Sequence, residues 1–138
     1  MKNKLEEDII IEKSFYQAKN LLEEFGEFYP FAMGIDKKKQ IFNINTFSGT
    51  EKPNPLSHKE ELIEALNVSI KDNELIAVTV VVNVMIVPPY DEVKLSAIEI
   101  EINNSFKDSV NYYIPYEDKE GSIEYYELFK LEGTLRIW

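Results

Sequence analysis

The sequence lacks cysteine altogether and has a single histidine, His58. The absence of cysteine excludes disulfides, thiolate metal ligands and a cysteine nucleophile, and it is compatible with a reducing compartment. One histidine without cysteine cannot form a histidine-rich zinc site, and a catalytic triad would need a hydroxyl and an acid gathered around it. We therefore interpret His58 as an exposed residue in a first helical turn. We assign no catalytic residue and expect neither a metal ion nor another cofactor.

Glycine and long apolar runs are scarce as well. The five glycines form neither a phosphate-binding loop nor a nucleophile elbow, and the acids lack the spacing of a calcium-binding loop. The longest apolar-rich run, residues 75–89, contains Thr79 and Asn83 and is shorter than the roughly 20 residues of a membrane-spanning helix. The first residues do not have the pattern of a signal peptide. We expect a cytoplasmic protein with no membrane partner.

Positive charge is scarce relative to negative charge. Fifteen lysines and arginines face 25 acids, which gives a formal charge of −10. Residues 1–56 hold eight lysines and nine acids, a net of −1, whereas residues 57–138 hold seven bases and sixteen acids, a net of −9. A negative field repels phosphate backbones and attracts basic molecules. We expect a basic protein as partner and no binding to nucleic acid.

Two apolar stripes at helical spacing are present, and they predict two helices. The first helix runs from about Leu5 to Phe25, and Gly26 ends it because glycine adopts a left-handed cap at low steric cost. The second helix begins at Ser57, whose side chain forms a capping box with Glu60, and it ends near residues 71–73.

Alternating or continuous apolar runs predict the strands. The first two form a hairpin, the third is apolar on both faces and therefore central, and the last ones form an antiparallel meander that closes with a short final piece. In the fourth strand the isoleucines point inward, and Glu99 and Glu101 point outward into solvent. The predicted strands are 28–35, 41–47, 75–87, 95–102, 110–116 and 123–131, and residues 135–138 are the short final piece.

The resulting element order is α-β-β-α-β-β-β-β, in a single α+β domain over residues 1–138. An apolar content of 44% in 138 residues is sufficient for one packed core. The simplest arrangement places both helices on one face of a mainly antiparallel sheet.

Several short motifs resemble those of a group of small bacterial α+β proteins of uncharacterised function. They are the E-F-Y-P-F-A segment at residues 27–32, the V-P-P segment at residues 87–89 and the aromatic residues around Pro115. The resemblance implies a bacterial α+β domain. It implies no catalytic residue and no mechanism.

The leading functional hypothesis is a non-enzymatic interaction domain, such as an immunity-type inhibitor of a basic toxin. Acids interleaved with tyrosines in the second half favour it, because tyrosine supplies contact area and acids attract a basic partner. An acidic surface with half-buried tyrosines is equally typical of a domain whose charge only keeps it soluble. The candidate partner-binding residues are Glu99, Glu101, Tyr113, Tyr116, Glu117, Asp118, Glu120 and Glu124.

Two alternatives remain open. One is a small-ligand or carboxylate-based enzyme pocket between helices and sheet, with Tyr112 and Trp138 as further lining. Its central residues also have a purely structural interpretation as core packing. The other is a homodimer through an unpaired strand edge, at residues 41–47 or 135–138. The candidate pocket residues are Glu27, Phe28, Tyr29 and Phe31.

Overall fold

A single antiparallel sheet forms the centre of the fold, and two helices pack against it. The computed structural model describes residues 4–44 and 55–138, and for residues 4 and 55–59 it describes the backbone alone. The α+β class and the predicted element order are confirmed, with the last predicted strand divided into two. The elements are α1 Lys4–Phe25, β1 Phe31–Asp36, β2 Ile41–Ile44, α2 Pro55–Asn73, β3 Leu75–Ile86, β4 Leu95–Asn104, β5 Ser109–Lys119, β6 Ser122–Tyr125 and β7 Phe129–Glu132.

The sheet has the strand order β2-β1-β3-β4-β5-β6, and β7 pairs with the other half of β5. Every pair of hydrogen-bonded strands in this sheet is antiparallel. The connections β3–β4, β4–β5 and β5–β6 are therefore between adjacent strands, as in a meander, whereas β7 returns to pair with β5. The predicted central position of the third strand is confirmed.

The first helix is buried along one stripe at a spacing of four residues, Ile10, Ser14, Ala18 and Leu22. It ends where the sequence predicts, because Gly26 has a φ of +79° and donates its backbone N–H to the Leu22 carbonyl at 2.8 Å. Neither described helix is long and apolar enough to cross a membrane.

The two helices lie on opposite faces of β3, so the expected placement of both on one face is wrong. Ser14 of α1 hydrogen-bonds Thr79 across 2.7 Å, whereas Leu62 and Leu66 of α2 pack with Val78 and Val80. Because successive strand residues point to opposite faces, odd and even positions of β3 contact different helices. The first seven residues of β3 are buried for this reason.

The fourth strand is also covered on both faces, so its expected solvent face is wrong. Glu101 retains 4% of its accessible surface and Asn103 only 1%. They lie on the α2 side of the sheet, because the register pairs them with Val80 and Val78. The C-terminal segment covers part of this face, and the Asn103 side-chain oxygen accepts the Ile137 N–H at 2.7 Å.

Three predicted element ends need correction. The strand expected from residue 28 begins at Phe31, because Phe28 instead packs in the core beside α1. The second helix begins at Pro55, two residues before the expected cap, and proline suits a first helical position. Residues 135–138 form no strand. Leu135 is buried in the α2-side core, and the backbone N–H groups of Ile137 and Trp138 point to the Asn103 side chain instead of to a neighbouring strand. Residues 45–47 of the second predicted strand lie outside the described residues.

Leu66 gives a direct test of the α2-side core. It is fully buried, whereas Val68 on the same helix is 60% exposed. We expect Leu66→Ala to lower the free energy of unfolding by about 2–5 kcal/mol because it leaves a cavity against β3. Val68→Ala is the control and should change stability by less than about 0.5 kcal/mol. Urea denaturation measures both, and a neutral Leu66→Ala would contradict this packing.

Candidate functional site

An open groove runs along the α1 side of the sheet, between α1 and the outer strands β5 and β6. Its cavity volume is about 440 Å³. Four aromatic side chains and several aliphatic ones line it, and two carboxylates stand at its rim. We call it the tyrosine groove; its lining residues are Asp8, Ile11, Glu12, Phe15, Tyr112, Ile114, Tyr125, Tyr126 and Leu128.

Tyr125 is the most constrained aromatic residue of the groove. Its ring meets Phe15 edge-on at a centroid distance of 5.6 Å, and the Lys19 ammonium lies 5.9 Å from the ring centroid. Its hydroxyl is buried and makes no well-formed hydrogen bond within the described part of the chain. Burial, followed by the nearby Glu23 charge, raises the pKa of Tyr125 to about 12.

The rim of the groove on α1 is acidic. Asp8 and Glu12 are exposed, lie one helical turn apart, and form no salt bridge with any described residue. Burial raises the pKa of Tyr112, and the charges of Glu7 and Asp8 raise it further. The negative potential of the rim therefore reaches the tyrosine floor.

A larger group of carboxylates gathers at one end of the sheet. At this end α1 and β3 finish, β4 begins, and β5 turns into β6. All the acids of this group are exposed, and the described lysines at the same end are Lys94 and Lys119. We call it the acidic end; its residues are Glu23, Glu24, Glu27, Asp91, Glu92, Glu117, Asp118 and Glu120.

Glu23 joins the acidic end to the tyrosine groove, because its charge raises the pKa of Tyr125 and it lines a small cavity with Asp118 of the hairpin. The Tyr126 hydroxyl donates to Glu117 at 2.6 Å, and Lys119 forms a 2.8 Å salt bridge with Glu124. The Lys119 ammonium also lies 5.9 Å from the centroid of the Tyr126 ring. The register places Glu117 and Glu124 on the face of β5 opposite to Tyr112 and Tyr125, so the link on the groove side is the one through Glu23 and Asp118.

A second polar cluster lies on the α2 side of β4 and β5. The register pairs Glu101 with Asn111 and Glu99 with Tyr113. The Asn111 amide donates to the Tyr113 hydroxyl at 3.3 Å, while its own oxygen is buried without a partner in the described residues. Burial raises the pKa of Tyr113 to about 12; the Asn111 hydrogen bond opposes this shift, and the Glu99 hydrogen bond adds to it.

The structure divides the predicted partner-binding residues among three places. Glu99, Glu101 and Tyr113 belong to the α2-side cluster, and burial of Glu101 and Tyr113 prevents them from forming an open docking surface with the others. Tyr116 is buried on the α1 side, where its hydroxyl donates to Asn83 at 2.8 Å. The remaining four are exposed together on the β5–β6 hairpin: Glu117, Asp118, Glu120 and Glu124.

The predicted pocket residues do not form one cavity wall. Phe28 and Phe31 pack edge-on at 5.7 Å beneath α1, which fits the structural interpretation, whereas Glu27 and Tyr29 are exposed. The further lining residues are on different faces, because Tyr112 packs on the α1 side and Trp138 with the α2-side core. These residues therefore lie in separate places, and the small-ligand pocket stays a prediction.

Metal ligands do not gather in the described parts of the chain. No group of three or more histidine and acidic side chains there has the geometry to hold a metal ion. His58 lies in α2, and its side chain is outside the described residues.

Comparisons with known proteins leave the functional argument to the geometry alone. The chain matches no protein-family model, no curated protein and no solved structure. The motifs that resemble a bacterial family therefore have no counterpart in these comparisons.

The rim residues Asp8 and Glu12, and Leu128 on the opposite wall, are absent from the predicted site. A signal for the first two exists in the sequence, because they flank Ile11 and Phe15 at helical spacing. Phe15 of this stripe contacts Tyr125, which lies more than a hundred positions further along the chain. Local patterns do not contain that information.

Removal of the Tyr113 hydroxyl tests the α2-side cluster. A raised pKa in the folded state means that folding favours the neutral phenol. This contribution is complete below the unfolded value of about 10 and is lost as the pH rises through about 12. We expect Tyr113→Phe to cost about 1 kcal/mol at neutral pH and to flatten the fall in stability between these pH values.

Urea denaturation across this pH range, together with the absorbance of tyrosinate, measures both effects. The control Tyr16→Phe alters a half-exposed tyrosine of α1 and should change stability at neutral pH by less than about 0.5 kcal/mol. If the free energy of unfolding of Tyr113→Phe fell as steeply with rising pH as that of the unchanged protein, the raised pKa of Tyr113 would be contradicted.

Proposed function

We propose that the protein is a non-enzymatic interaction domain that binds a basic protein through the tyrosine groove and the acidic end. The specific form of the proposal is an immunity-type inhibitor of a basic toxin, acting in the bacterial cytoplasm. Tight inhibitors of basic enzymes combine acids, which accelerate association, with aromatic side chains, which supply buried contact area. This surface offers both.

The observation that carries the proposal is the continuity of the two features. Asp8 and Glu12 border one side of the groove, and Glu23 acts on Tyr125 of its floor and lines a small cavity with Asp118 of the hairpin. The tyrosine faces already lie near ammonium groups, those of Lys19 and Lys119. A lysine or arginine from a partner would find the same aromatic and carboxylate surroundings.

The fold also concentrates charge that the sequence scatters. Glu23, Glu24 and Glu27 come from the nearly neutral first half of the chain, and Glu23 lines a small cavity with the hairpin acid Asp118 of the second half. Acids near a helix C-terminus oppose the helix dipole, so Glu23 and Glu24 add to the negative potential there instead of being offset by it. The strength of this field supports a basic partner over a neutral one.

The proposal predicts that charge reversal on the hairpin weakens the complex. The triple variant Glu117→Lys, Asp118→Lys, Glu120→Lys changes the net charge from −10 to −4. We expect the dissociation constant for a basic protein that co-purifies at low salt to rise by roughly tenfold or more. Isothermal titration calorimetry with the purified partner measures it.

The matched control reverses three exposed acids at the other end of the sheet, Asp72, Glu74 and Asp108. It makes the same change of net charge, and like the test set it includes one residue with positive φ, Glu74 against Glu120. Its effect should stay below roughly threefold because its charges lie more than a Debye length from the partner. Equal losses in both triples would show nonspecific attraction and defeat the assignment of the surface.

The α2-side cluster favours a second candidate function, a small-ligand pocket. The supporting observation is the buried Asn111 oxygen, an acceptor facing Glu101 without a partner in the described chain. Such a site would prefer a ligand that donates hydrogen bonds, for example a primary amine or a guanidinium compound. A thermal-shift screen of such compounds tests it: a response abolished by Asn111→Leu supports the pocket, and no response from the folded protein removes it.

A further inference from the structure

The α1 side of the sheet keeps an open groove beside the first helix. The helix contacts β1, β3 and β4 most extensively, and it reaches β6 through Phe15, whose ring meets Tyr125 edge-on. Ile114 and Tyr116 of β5 are buried there, whereas Tyr112 and Tyr125 are partly exposed. The tyrosine groove is the opening of about 440 Å³ that remains between these side chains and the helix.

The groove is apolar on its floor and acidic on one side only. Ile114, Tyr112 and Tyr125 form the floor, and Leu128 lies at the sheet edge. The acids are on α1, where Asp8 and Glu12 are four residues apart. A helix lying beside α1 would face these acids with residues at the same spacing, since both helices have 3.6 residues per turn.

Glu23 adds a further acid at the Tyr125 end of the groove. Its charge contributes, after burial, to the raised pKa of Tyr125, so the carboxylate lies close to this hydroxyl. A basic side chain that entered the groove would meet this acid as well as the two on α1. The groove therefore lacks apolar cover, and its lining residues include no positive charge.

We infer that the tyrosine groove binds a short amphipathic helix of the partner, whose apolar face covers Tyr112 and Tyr125 and whose lysines or arginines at positions i and i+4 pair with Asp8 and Glu12. This inference rests on the proposed function, because the charge of the rim is what selects a basic occupant. Helix-in-groove binding of this kind uses anchors at helical spacing and reads charge at the rim.

The test uses a side-chain-stapled helical peptide of about 14 residues, with leucines on one face and lysines at positions i and i+4 on one flank. The control peptide has the same composition in scrambled order. Binding to the full chain is measured by fluorescence anisotropy at low and high salt. We expect the patterned peptide to bind at least roughly tenfold more tightly than the scrambled one, because only it presents both faces together.

Matched charge reversals locate the binding. The double variant Asp8→Lys, Glu12→Lys should weaken the patterned peptide by roughly tenfold. The control is Glu60→Lys, Glu64→Lys, an exposed pair with the same four-residue spacing near the start of α2, and it should change affinity less than roughly threefold. Chemical shifts of Ile11, Phe15 and Tyr125 should move on binding, and circular dichroism confirms that each variant is folded.

Other outcomes separate this inference from the proposed function. If the hairpin reversal weakens the natural complex but the Asp8 and Glu12 reversal does not, the partner is basic and the groove is not its helix site. Equal binding of patterned and scrambled peptides would show charge attraction alone and overturn the inference. If the chain dimerises through the groove, shown by sedimentation and by loss of the dimer in Tyr125→Lys, a second copy is the occupant and the inference fails. If no basic protein binds under any condition, the proposed function fails with it.

Discussion

Burial of β3 on both faces is the constraint on which the rest of the structure depends. Val78 and Val80 pack against α2, while Ala77, Thr79 and Val81 face α1. A strand in this position must carry apolar or internally paired side chains, and hydrogen bonds to Ser14 and Tyr116 supply the pairing at its two polar residues, Thr79 and Asn83. The two helices are thereby held on opposite sides of one sheet, and each side of the molecule acquires its own chemistry.

The two faces of the sheet are covered over different strands, and this difference produces the two candidate sites. On the α1 side a single helix packs mainly on β1, β3 and β4, so Tyr112 and Tyr125 of the outer strands remain partly accessible beside the acidic rim. On the α2 side the helix covers β2, β1 and β3, and the C-terminal segment is anchored on Asn103. Polar residues of β4 and β5, including Glu101, are therefore enclosed. One face offers a docking surface, and the other encloses a polar cluster.

The sequence contains much of the fold in local form. The stripe ending at Gly26 predicts α1 closely, and the double apolar pattern of residues 75–87 identifies the central strand. Two apolar faces on this strand indicate that both sides of the sheet are covered. The simplest packing, with both helices on one face, does not satisfy that pattern. Glu101 was expected in solvent from the alternation of its strand, and tertiary cover overrides this pattern.

The site was less accessible to sequence reasoning than the fold. Acidic and tyrosine-rich character of residues 109–127 was visible, and four hairpin acids do lie together on the surface. Which tyrosines face which helix depends on the antiparallel register of β4, β5 and β6, and on the packing of α1 across them. The pairing of Phe15 with Tyr125 spans the length of the domain, so a local pattern could not place Asp8 and Glu12 at the rim.

The most direct test of the account is a nuclear Overhauser measurement on methyl-labelled protein, because every surface described depends on the opposite placement of the helices. The structure predicts contacts from Val78 and Val80 to Leu62 and Leu66 of α2, and separate contacts from Ala77 and Val81 to the buried stripe of α1. Contacts from both helices to the same alternate residues of β3 would contradict the account and return the helices to one face.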